Sequence, residues 1–326
     1  MTTAIIDTTE GYVRELITPR PADTHKGRCG RVLIVAGSRG MAGAALLCGR
    51  AALLSGAGLV TFAAPRELFP ILQTGAPEAI CMDRDELWYA DLNGFDAIAV
   101  GPGMGNTEET YRWVEHILMG SRVPVVVDAD GINSLCAFGK VPERRSYMDT
   151  EVTDDEQIPR KMGSLLPDLC RMRKGPVILT PHPGEADRIL DALEAGNIGQ
   201  RGREKAAGAM ASKTGAVVVL KGSETLIADG EAKEPDLYRN TTGNPGMATG
   251  GSGDVLTGVI AALAAYGTAS ASAEGAGLLP LHAARLAVWI HGMAGDLAAE
   301  KRGEIGMTSM DIAENLPEAF RQITGR

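Results

Sequence analysis

Residues 31–63 read RVLIVAGSRGMAGAALLCGRAALLSGAGLVTFA. A β-branched apolar run at 31–36 is followed by a glycine-bearing turn, an Ala/Leu-rich segment with helical spacing at 44–54, and a second apolar run at 58–63. That is one βαβ unit. The runs are apolar almost throughout rather than alternating, as strands covered on both faces are. The rhythm continues outward, with 96–100, 123–127, 176–179 and 216–220 reading as buried strands and 108–119, 184–193, 201–213, 255–265 and 281–301 as helices. Successive parallel strands need such crossovers, so the pattern predicts an α/β fold, doubly wound, with a mainly parallel sheet and helices on both faces. Thr308 and Asp311 have the spacing of a helix-start capping pattern and predict a last helix over 311–322. Two stretches break the rhythm. The charged segment 140–174 reads as a surface insertion, and the small residues GTASASAEGAG at 267–277 as a flexible loop between two helices.

The 326 residues are 44% hydrophobic, 4% aromatic and 22% charged, the makeup of a globular chain with a substantial core. The net charge of −9 and pI near 5.2 argue against a nucleic-acid partner, because phosphate backbones need a basic face. Anions must then be bound in a local pocket. Cys29, Cys48, Cys81, Cys136 and Cys170 form no C-x-x-C pair, which indicates neither a zinc site nor a disulfide framework. The opening MTTAIIDTTEGYVREL lacks the hydrophobic block of a secretory signal, and the apolar runs, including 255–266, read as too short to cross a bilayer. A reducing cytoplasm with no membrane is the expectation.

Ligands of open parallel sheets gather at the carboxyl ends of the strands. Here those ends are followed by AGSRGMAGAA, GPGMG, DADGIN, TPHPGE and KGSET. Any one of them could be only a tight turn; five on one rim point to a site. The sharpest feature is GNPGMATGGSGD at 243–254, running directly into VLTGVIAALAAY. Val255, Leu256, Val259, Ile260 and Leu263 share a helical face, which places Gly250, Gly251, Ser252 and Gly253 at a helix N-terminus suited to a phosphate oxyanion. Asp254 beside such an anion hole either takes a hydroxyl proton as that oxygen attacks phosphorus or merely stabilises the helix start. The residues alone leave both readings open.

Other motifs fail. No G-x-x-x-x-G-K-[ST] occurs, and GPGMG lacks the spacing of a dinucleotide fingerprint. No H-E-x-x-H or Ser/His/Asp signature is present. Of the five histidines only His182 lies in a polar strand-end turn; packing or surface roles are expected for the other four.

The series HKGRCGRVLIVAGSRGMAGAALL, GPGMG, VVDADGINSL, LTPHPGEADRIL, VVVLKGSETLI, GNPGMATGGSGDVLTGVIAAL, HGMAGDLAAE and GMTSMDI resembles, in this order, the ADP-dependent NAD(P)H-hydrate dehydratases of the ribokinase-like superfamily. The match runs from about 25 to 320, so residues 1–326 are expected to form a single domain of this kind. The bifunctional members carry an additional N-terminal epimerase domain; with no room for one here, the stand-alone form is the expectation. The resemblance implies repair of NADHX and NADPHX, the hydrated forms of NADH and NADPH, with ADP as co-substrate consumed to AMP and phosphate. The ring hydroxyl would be phosphorylated and phosphate would then leave. By the same resemblance Asp254 is the catalytic base and a substrate contact. Ala44, Gly103 and His182 contact the hydrated nucleotide, and Lys221, Gly222, Ser223, Glu224, Thr225 and Gly253 hold the adenine nucleotide. Glu185 aligns with an acidic residue that holds Mg2+ through water, and Asp128 or Asp130 replaces it if Glu185 only begins the next helix. A homo-oligomer, a tetramer, is also implied. Two rivals stand: a vitamin-pathway hydroxyl kinase of the same superfamily, whose product would keep the phosphate, and a non-catalytic nucleotide sensor.

Overall fold

The computed structural model describes residues 4–17, 20–138, 140–142, 162–164, 166–232, 235–274 and 278–325. Most of the expected insertion at 140–174 lies outside them. In chain order the elements are β1 (Ile5–Asp7), α1 (Glu10–Leu16), β2 (Arg31–Val35), α2 (Ala42–Leu54), β3 (Leu59–Ala64), α3 (Phe69–Gly75), β4 (Ile80–Asp83), β5 (Ala97–Val100), α4 (Glu108–Gly120), β6 (Val125–Val127) and α5 (Asp130–Phe138). There follow β7 (Lys140–Pro142), β8 (Met162–Ser164), α6 (Leu166–Met172), β9 (Val177–Leu179), α7 (Pro183–Ala192), α8 (Ile198–Arg201), α9 (Arg203–Thr214), β10 (Val217–Leu220), β11 (Leu226–Ala228), β12 (Leu237–Arg239), α10 (Ser252–Glu274), α11 (Pro280–Arg302) and α12 (Ser309–Thr324).

Ten strands form one sheet in the order β1-β12-β11-β10-β9-β6-β5-β2-β3-β4, while β7 and β8 pair separately. Pairing is parallel from β10 to β4 and antiparallel only where β11 lies between β10 and β12. The strand alternation builds two cores. Val32, Ile34, Ala97, Ala99, Val126 and Ile178 face the layer of α2, α10, α11 and α12. Leu33, Val35, Ile98, Val100, Val127 and Leu179 face the layer of α4, α5, α7 and α9. Every expected strand and helix is present to within a few residues.

Three expectations need correction. The stretch 267–274 continues α10 instead of forming a loop, because its Ala and Ser residues are compatible with a helix and its single glycine lets Leu278 pack close. The predicted helix 201–213 breaks at Gly202, whose φ of 79° separates α8 from α9. The apolar stretch Ser252–Ala271 is, at 20 residues, long enough to cross a bilayer, and 72% of it is buried inside the fold. The strands β1 and β4 escaped the pattern because they are sheet edges without a fully buried position, and β11 and β12 because they form a short antiparallel pair outside the βαβ rhythm.

Helix α10 packs across α2 at Gly258, where a Cβ would collide with the backbone carbonyl of Cys48. This close crossing, with Ala97 and Ala99 of β5 beneath it, carries the N-terminus of α10 to the carboxyl ends of the central strands.

Candidate active site

A cavity of about 800 Å³ opens on that rim. The loops after β6, β9 and β10, the segment 240–248, the first turn of α10 and the middle of α11 line it. Lys221 follows β10, and its Nζ lies 2.6 Å from Asp128 Oδ1 and 3.8 Å from Glu185 Oε2. Burial works against its charge, but Asp128 and Glu185 hold the ammonium above the usual lysine range. Asp128, only 1% exposed, is fully engaged: its other oxygen accepts a 2.7 Å hydrogen bond from Thr257 Oγ1 on α10. The pair thus ties the ends of β6 and β10 to the helix start. A Cβ on Gly253 would come within 3.2 Å of Lys221 Nζ and 3.7 Å of Asp128 Oδ2.

Asp254 lines the cavity and accepts no hydrogen bond from the described residues. Burial, reinforced by Asp128 and opposed by Lys221, pushes its carboxyl up to about 7. A helix-capping aspartate would instead be hydrogen-bonded to the first-turn amides. Those amides are open: Ser252 N bonds Thr249 O and Val255 N bonds Gly251 O, while Gly253 N and Asp254 N find no carbonyl among the described residues. Uncommitted amides and the positive helix end make an anion subsite next to an uncommitted acid.

His182 and Glu185 share one device. His182 caps α7, its Nδ1 accepting from Gly184 N at 3.0 Å and Glu185 N at 3.4 Å, while Glu185 Oε2 accepts His182 N at 2.8 Å. Nδ1 is therefore the unprotonated nitrogen, so Nε2 carries the proton at a half-exposed ring. Glu185 both begins the helix and reaches the cavity; burial, opposed by Lys221, raises its carboxyl to about 7. Asp130 instead accepts Gly105 N at 2.7 Å, bracing the GPGMG turn. Three carboxylates, Asp128, Glu185 and Asp254, thus face one ammonium. This excess of hard oxygen donors fits a hydrated divalent cation, and with Asp128 committed to Lys221 and Thr257, the cation would be held mainly through Glu185. Among the described residues no group of three or more His, Cys, Asp or Glu could hold a metal directly.

The rest of the expected site divides. Gly222, Ser223, Glu224 and Thr225 line the cavity with Lys221, and Glu224 adopts a φ of 52° that brings this turn back on itself. Ala44 and Gly103 do not line it but touch each other, a Gly103 Cβ falling 2.8 Å from Ala44 Cβ. One turn along α2 from Ala44, Leu47 packs against Gly251 of the Gly-rich loop. One cavity residue, His291, and one residue behind the lining, Asp296, escaped the sequence reading. His291, expected to be packing, lines the cavity from α11, and burial pushes its imidazole down to about 4, so it is neutral. Asp296 accepts hydrogen bonds of 2.9 Å from Gly243 N and Asn244 Nδ2, fixing the segment that leads to the loop. Both lie in HGMAGD, and only the motif's recurrence in the resemblance could have singled them out.

The family model described as NAD(P)H-hydrate dehydratase matches residues 32–147 and 164–318. The chain belongs to the NAD(P)H-hydrate dehydratase family. Among its family relatives, a bifunctional NAD(P)H-hydrate repair enzyme of Moorella thermoacetica is 39% identical over 329 residues, which cover 97% of this chain and 54% of that protein. The chain spans about half the length of the first such relatives. The ADP-dependent (S)-NAD(P)H-hydrate dehydratase of Bacillus subtilis is 32% identical and matched over 96% of this chain and 97% of its own. A crystal structure of the Bacillus subtilis ADP/ATP-dependent NAD(P)H-hydrate dehydratase, co-crystallised with ATP/Mg2+, superposes with a TM-score of 0.75 at 30% identity, covering 98% of this chain and 99% of that one. A ribokinase-like superfamily protein from Enterococcus faecalis shares the fold, with a TM-score of 0.76 at 24% identity over 99% and 97% of the two chains. Family and ribokinase-like fold thus agree.

Proposed function

We propose that this chain repairs hydrated nicotinamide nucleotides, using ADP to dehydrate (S)-NADHX and NADPHX to NADH and NADPH with release of AMP and phosphate. The observation that carries the proposal is Asp254: an acid without a hydrogen-bond partner among the described residues, in a polar cavity, adjacent to two uncommitted helix-start amides. The hydroxyl oxygen of the hydrate attacks the terminal phosphorus of ADP while Asp254 accepts the hydroxyl proton. The bond to AMP breaks, and a phosphate ester replaces a hydroxide leaving group by a far better one. Loss of that phosphate with a ring proton restores the double bond.

Each remaining residue has a role that follows from its place. Gly253 N and Asp254 N hold oxygens of the migrating phosphoryl group, together with the Gly250–Ser252 turn before them. Lys221, already charged, offsets the negative charge that gathers there. Residues 222–225 hold the adenine nucleotide inside the cavity. Ala44, Gly103 and His182 Nε2–H bind the hydrate. Glu185 would hold Mg2+ through water, the ion supplying charge neutralisation to the nucleotide phosphates.

Incubation with hydrated NADH, Mg2+ and ADP should restore the absorbance of the reduced nicotinamide. Absence of recovery with both ADP and ATP refutes the proposal, and a stable phosphorylated product without recovery indicates a kinase.

A further inference from the structure

Ser309 opens α12, which packs on both α2 and α10. A Cβ built on Gly251 would lie 2.8 Å from Ser309 Oγ and 3.3 Å from Ser309 Cβ, so the hydroxyl is the part turned toward the Gly-rich loop. The residue is 7% exposed, and its hydroxyl has no hydrogen-bond partner among the described residues. An unengaged hydroxyl turned toward a glycine-rich turn is available to donate to a ligand. The helix start does not need it: Thr308 Oγ1 accepts Asp311 N, and Asp311 Oδ2 accepts Thr308 N, which closes a capping box without Ser309. Around it the chain offers further donors. The α10 amides of Gly253 and Asp254, two and three residues beyond Gly251, are open.

We propose that Ser309 donates a hydrogen bond to a phosphate oxygen lodged against the Gly250–Gly253 turn, making it a phosphate ligand alongside the Gly253 and Asp254 amides. The inference rests on the dehydratase reading for the identity of that phosphate. Two sources share the chemistry: the group transferred from ADP, and the diphosphate of the hydrated dinucleotide.

The test is Ser309→Ala, measured by calorimetric binding of inorganic phosphate and of NADH, with steady-state rates beside them. Loss of a hydrogen bond to a charged group predicts a ~10- to 100-fold weakening. If phosphate binding and kcat fall while NADH binding holds, Ser309 serves the transferred group. If NADH binding weakens and KM for the hydrate rises while kcat holds, it serves the dinucleotide diphosphate. Wild-type affinity of Ser309→Ala for both probes overturns the proposal, as does a native protein that binds neither. Should Ser309→Ala also melt several degrees lower, Ser309→Thr, which keeps the hydroxyl, must restore phosphate affinity, and failure to do so again overturns it. A native protein that binds phosphate through Ser309 but never regenerates NADH refutes the dehydratase reading alone.

Discussion

Replacing Asp254 by Asn should make the protein more stable and nearly inactive. In the folded chain the carboxyl is pushed up to about 7, from 3.8, by burial and by Asp128. The shift of about 3 units corresponds to a ceiling of ~4 kcal/mol at 1.36 kcal/mol per unit. The first-turn position returns ~0.5 to 1 kcal/mol through the helix dipole, and water in the open cavity roughly halves the remainder. A gain of about 1.5 kcal/mol is left, or about 2 °C in melting temperature for a chain of this length. The sign follows from proton uptake: between about pH 4 and 7 the folded chain binds more protons than the unfolded one, so Asp254 costs most above pH 7 and nothing below pH 4. Calorimetric melting of both proteins at pH 5 and pH 8 measures this, and the gap should widen with pH. Turnover should fall ~10²- to 10⁴-fold with ADP binding largely kept. An unchanged or lower melting temperature at pH 8 together with retained turnover refutes the reasoning, for Asp254 would then be a structural cap.

Removing Lys221 as Lys221→Ala strands the Asp128 carboxylate, which is 1% exposed, and should cost about 3 to 5 kcal/mol by denaturant unfolding. The double variant with Asp128→Asn should recover a large part of that loss, and strict additivity would contradict the pairing. Gly253→Ala places a Cβ 3.2 Å from Lys221 Nζ; circular dichroism should show an intact fold while turnover drops at least ~10²-fold through the crowded anion subsite. The pH dependence of kcat/KM should rise to about 7 and level above it, since Asp254 must be ionised to accept a proton, and the profile should flatten in Asp254→Asn.

The parallel core was legible because its strands are buried on both faces and read as unbroken apolar runs, as at Val217–Leu220. The antiparallel β11 and β12 were not, because β11 is defined by its pairing with β10 and β12 by its pairing with β11 and β1 instead of by any pattern of their own. In the site, glycines and a single acid at a helix start announced themselves through spacing. The Asp128–Lys221–Thr257 linkage did not, because it joins residues 93 and 129 positions from Asp128, a proximity that only the sheet order creates. Ser309 is silent in sequence for a similar reason: nothing local distinguishes a serine that caps its helix from one that leaves capping to Thr308.

The contact between Gly258 and the Cys48 carbonyl has a consequence for how the enzyme meets its ligands. Because two long helices interlock there, one turn downstream of Asp254, the geometry of the phosphate cup is settled during folding and does not await nucleotide. Binding then spends little free energy on ordering the protein, and tolerance for any bulkier side chain at position 258 should be lost across the whole reaction rather than for one substrate.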